Sequence, residues 1–120
     1  MTDLRYKPIP RRTREEILKL LSGGDPTEIQ GALISAAYGD HDWRWAQEQV
    51  LRFAEDNDPV VLRGVALGLS YIAIFHGEID IEKVEPVLKR LKALPELAGQ
   101  AEDVEDDIDI FVKRRKGKAR

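Results

Sequence analysis

Two histidines, twenty-two Asp and Glu, two tryptophans and no cysteine are the side chains with which this 120-residue chain could do chemistry. Without a thiol there is no disulfide framework, thiolate nucleophile or sulfur-ligated metal. Ser35 and Ser70 lie inside apolar stretches, and no Ser/His/carboxylate set has a plausible geometry. Asp106, Asp107 and Asp109 lack the glycine and the bidentate Glu of a calcium loop. Recognition is what remains. The run from Glu102 to Asp109 holds six acidic residues in eight, and Glu102, Asp106 and Asp109 share one helical face with no interleaved Lys or Arg. Such self-repulsion is unexpected on a face without a task. With Asp103, these residues are candidates for binding a basic partner. Trp45 is the other candidate. It falls off the apolar stripe of its helix, among Glu48, Gln49 and Arg52, and Trp is enriched at binding hot spots. The blander alternatives are an ordinary solvated acidic face and a Trp45 packed under the preceding loop.

These residues must be positioned by helices, since no segment alternates as a strand would. The organising stretch is DPVVLRGVALGLSYIAIFH, Asp58 to His76. Asp58 suits an N-cap, Pro59 the first helical position, and His76-Gly77 the stop. Apolar nearly all round, this helix must be enclosed by others, and it reads as a buried core helix rather than a membrane span. Before it, Thr13-Arg14-Glu15-Glu16 is a capping box, followed by Ile17, Leu20 and Leu21 on one stripe. Asp25-Pro26 opens a second helix, and Asp42 caps a third over Trp43–Asp56, with Trp43, Ala46, Val50, Phe53 and Ala54 buried. A fifth helix spans about 81–93, although Pro86 suggests a start nearer Val84. In the last helix Leu97, Ala101, Val104, Ile108 and Phe111 recur at helical spacing. The expected architecture is all-α: an α-solenoid of six helices in three antiparallel pairs over 13–112. An extended arm (1–12) precedes it and a disordered basic tail (113–120) follows.

Charge is unevenly spread. Residues 20–112 carry seven Lys and Arg against nineteen Asp and Glu, a net of −12, while the two ends are basic. Phosphate contacts dominate nucleic-acid affinity, so the body is the wrong field for DNA or RNA. It suits a basic protein partner. The N-terminus lacks a signal-peptide core, so a cytoplasmic protein without cofactor is expected.

DPTEIQGALISAAY and DPVVLRGVALGLSY align at an offset of 33, sharing Asp, Pro, Gly and Tyr. A repeat of this period with small residues in mid-helix is the mark of a helical solenoid. Close helix–helix approach would compensate the cost of Gly31 and Gly64. The DPxxLRGVALGL opening resembles HEAT repeats, over about 25–112. That resemblance implies a ladder of Asp and Arg between repeats, here Asp58 and Arg63, although the first copy has Gln30 in the Arg place. The fuller pattern of D-W-x-W, LSYIAIFHGEID and DVEDDIDIF is similar to small bacterial HEAT-like immunity proteins of polymorphic-toxin, contact-dependent inhibition systems. It implies a non-enzymatic inhibitor that docks on a basic toxin domain, frequently a nuclease, through acidic and aromatic surface. A generic HEAT-like adaptor is the alternative. A more remote one is a His/carboxylate metalloenzyme, since His41-Asp42 and His76-Gly77-Glu78 resemble motifs of HEAT-like di-iron hydroxylases, which need several more such pairs.

Overall fold

Five of the six helices begin on a side chain that accepts a backbone N–H: Thr13, Asp25, Asp42, Asp58 and Asp80. Each such cap satisfies a donor that the first turn leaves free. In the computed structural model, which describes residues 9–114, these caps open α1 (Arg14–Ser22), α2 (Pro26–Gly39), α3 (Trp43–Leu51), α4 (Pro59–His76) and α5 (Ile81–Lys92). Leu97 opens α6 (Ala98–Ile108) without a side-chain cap. The described residues contain no strand, and the fold is all-α as the sequence predicts.

The helices form two layers. α2, α4 and α6 lie side by side with α4 in the middle, while α1 packs on α2, α3 on α2 and α4, and α5 on α6. Contacts along α2 and α4 ascend together: Gln30 meets Gly64, Leu33 meets Gly68, and His76 Nε2–H donates to the Ala37 carbonyl at 3.1 Å. The two helices are therefore parallel. α3 and α5 run the other way and are linked through hydrogen bonds near their two ends. Asp80 N–H donates to Gln47 Oε1 at 2.8 Å at one end, and the Arg90 guanidinium donates to the Ala54 and Asp56 carbonyls at the other. Since α5 ends beside the start of α4, α6 begins there and runs with α4.

α4 is the core. Val61, Val65, Leu69, Ile72 and Ala73 are almost wholly buried. By length and composition alone it could cross a membrane, but its burial among the other helices is that of a core helix. Gly64 permits the closest approach, for a Cβ there would lie 2.9 Å from Gln30 Cα; nothing lies within 4 Å of one at Gly31. Tight packing thus explains Gly64 but not Gly31.

Other expectations need correction. α3 ends at Leu51, and turns carry the chain to Asp56; Gln47 and Gln49 join Ala46 and Val50 in its buried face. α5 starts at Ile81 and keeps Pro86 inside. Pro86 and Glu82 are both exposed, so water can serve the carbonyl that loses its partner. Asp58 and Arg63 form no ladder: Asp58 caps Val60 N–H at 2.8 Å, and Arg63 has no ion pair among the described residues. The last helix widens into a π-turn, Asp109–Lys113, which takes one extra residue per turn. Val112 consequently follows Ile108 into the core, and Phe111, expected there, is 36% exposed. Residues 9–13 carry no regular structure, and Arg12 and Pro10 are held on Ser35 of α2. The rest of the arm and the tail beyond Arg114 lie outside the described residues.

Candidate functional site

Trp45 sits in the first turn of α3, half-buried against the core. The Arg14 guanidinium lies over its ring, 4.4 Å from the centroid, and forks onto both Asp40 oxygens at 2.8 and 2.9 Å. These hydrogen bonds from Arg14 hold the Asp40 carboxyl below the usual carboxylate range. One Arg thus ties α1 to the end of α2 and covers the ring that the sequence offered as a bare anchor. Gln49 is only 5% exposed, with its Oε1 accepting from Arg52 at 2.7 Å, so its predicted place on an accessible face is corrected. Glu48 and Arg52 are exposed. They line a groove of about 520 Å³ with Trp43, Arg44, Asp80 and Lys83, a mixed-charge site without Trp45.

On α6, Glu102, Asp103 and Asp106 are exposed as expected. Asp109 pairs with Arg114 at 3.2 Å, and Glu105 with Lys92 of α5 at 3.2 Å. α4 lies between α3 and α6, and Trp45 stacks at the α1 end of the stack. Trp45 and the acidic run therefore do not make one patch. No group of His, Asp or Glu among the described residues could hold a metal ion.

The structure adds a feature of its own. Tyr38 in the last turn of α2 meets Phe75 in the last turn of α4 edge-to-face, centroids 5.0 Å apart, and Tyr71 meets Phe75 in the same way at 5.6 Å. Phe75 is 53% exposed, more than any other large apolar side chain described. These rings stand on the stripes of α2 and α4 that face away from α1, α3 and α5: Gly31, Ile34 and Tyr38 on one, Leu67, Tyr71 and Phe75 on the other. α6 packs on the side of α4 away from α2.

Neither a family profile nor a curated protein matches the chain. A solved structure does. The chain is similar to one from the "crystal structure of CDI complex from Cupriavidus taiwanensis LMG 19424", with a TM-score of 0.77 and 30% sequence identity over 91% of this chain and 98% of that one. The two chains belong to one family. The match leaves almost none of the Cupriavidus chain uncovered.

Sequence reasoning passed over the aromatic cluster although a signal for it existed. Tyr38 and Tyr71 are the tyrosines shared by the two repeat copies, and Phe75 stands one turn beyond Tyr71. In parallel neighbouring helices such equivalents fall side by side. Treating the whole of Asp58–His76 as enclosed hid this, because only the packing order says which face of a nearly all-apolar helix stays open.

Proposed function

We propose that this chain is the immunity partner of a contact-dependent inhibition complex. On this reading it is a non-enzymatic, HEAT-like protein that neutralises a toxin domain in the cytoplasm by binding it directly. The observation that carries the reading is its 30% identity with a CDI-complex chain over nearly the full length of both. The acidic body adds support for a basic toxin surface, which a nuclease would present toward its own substrate. A net charge of −12 over residues 20–112 would steer such a partner and disfavour nucleic acid.

The test pairs the chain with the toxin domain encoded beside it. Co-expression should protect cells from growth arrest, and the purified proteins should form a stoichiometric complex that inhibits the toxin without turnover. A toxin left fully active at saturating concentrations of this chain would refute the proposal.

A further inference from the structure

We infer that the outer face of the α2–α4–α6 layer is the docking surface, with Phe75 as its anchor, and that it takes a Lys- or Arg-bearing segment of the toxin. This deepens the proposed function and rests on it. The aromatic part is preorganised. Tyr38 and Tyr71 hold Phe75 edge-on from two sides, so little ordering remains to be paid on binding. All three stand on long helices whose opposite stripes are locked in the core. Aromatic side chains, Phe among them, are enriched at protein interfaces.

Charge selects the occupant. The faces of aromatic rings attract guanidinium and ammonium groups, more strongly once water is excluded. Beside α4 on that layer lies α6, on which Glu102, Asp103 and Asp106 are exposed and in no ion pair among the described residues. The π-turn at the end of α6 then exposes Ile110 and Phe111, by 47% and 36%, where a regular helix would have turned Phe111 inward. Arg63, toward the start of α4, is the one cation on that helix's outer stripe. An apolar aromatic platform on a body of net charge −12 over residues 20–112 fits a basic segment and repels an acidic one. Trp45, already stacked under Arg14, has no part in it.

The experiment measures association and dissociation rates between the neighbour-encoded toxin domain and Phe75→Ala, Phe75→Lys and Trp45→Ala, each checked by a melting curve. Phe75→Ala should speed dissociation at least tenfold, Phe75→Lys more than that, and Trp45→Ala less than threefold. Hydrogen exchange on the wild-type complex gives a second readout that no folding defect can confuse. Protection should concentrate at the ends of α2 and α4 and along α6. Wild-type dissociation rates in both Phe75 variants, or protection confined to α3, would overturn the inference while leaving the immunity reading intact. If the wild type fails to bind the toxin at all, the reading falls and takes the inference with it.

Discussion

At the scale of single residues, burial decides what each side chain can tolerate. Leu69 is fully buried at mid-α4, whereas Leu67, two residues earlier, is half-buried on the outer stripe. Leu69→Asp should abolish the cooperative melt, because it strands a carboxylate in the core; Leu67→Asp should leave a folded protein by circular dichroism. The two glycines of the repeat separate in the same way. Gly31→Ala, with open space around the new methyl, should stabilise by about 0.5–1 kcal/mol in denaturant titration. Gly64→Ala must push Gln30 aside and should cost about 1–3 kcal/mol. Asp40 gives a pH signature. Arg14 lowers its pKa, so its contribution is present above the ordinary carboxylate value and is lost as pH falls through the folded value. Asp40→Asn should therefore lower stability at neutral pH and flatten its loss on the acid side, as followed by melting temperature against pH. Capping residues were legible because their chemistry is local. Which stripe of an all-apolar helix is covered was not, because that depends on partners far along the chain.

At the scale of elements, short signals and long-range ones part company. Thr13 and Glu16, Asp58 with Pro59, and Gly77 set the ends of α1 and α4 where the residues said they would. The end of α3 was not legible: the turns that follow it give the Ala54 and Asp56 carbonyls to Arg90, thirty-four residues after Asp56. Arg90→Met should cost about 1.5–3 kcal/mol, as charge-assisted hydrogen bonds do, and hydrogen exchange should speed up across residues 51–56. The π-turn was equally hidden, since Phe111 and Val112 are both credible core residues and only packing against α4 selects Val112. Deleting Ile110 should remove the widened turn and keep a folded protein, with Val112 still inward one regular turn after Ile108. A large loss of melting temperature in that deletion would mean the turn is required by the fold.

At the scale of the whole molecule, the proposed function rests on field and platform. Of the site read from sequence, the acidic helix keeps its exposed carboxylates, Trp45 is half-buried under Arg14 of α1, and Gln49 is buried and bonded to Arg52, contacts that spacing alone could not show. Long-range charge acts on encounter, so the triple variant Glu102→Gln, Asp103→Asn, Asp106→Asn should slow association with the toxin domain and flatten its salt dependence; dissociation should be nearly unchanged. The parallel course of α2 and α4 bears on the same event. Each α-helix carries a macrodipole worth about half a negative charge at its C-terminal end. Parallel neighbours place those ends together, and here both lie beside Tyr38 and Phe75. α2 has no basic residue of its own in its last turn; His76 at the end of α4 bonds the Ala37 carbonyl of α2, and Arg14 is already paired with Asp40, so part of the combined potential is left for an arriving cation. A cation arriving at the aromatic platform thus meets the aligned peptide dipoles of two helices, an attraction built into the backbone that no substitution on α6 would remove.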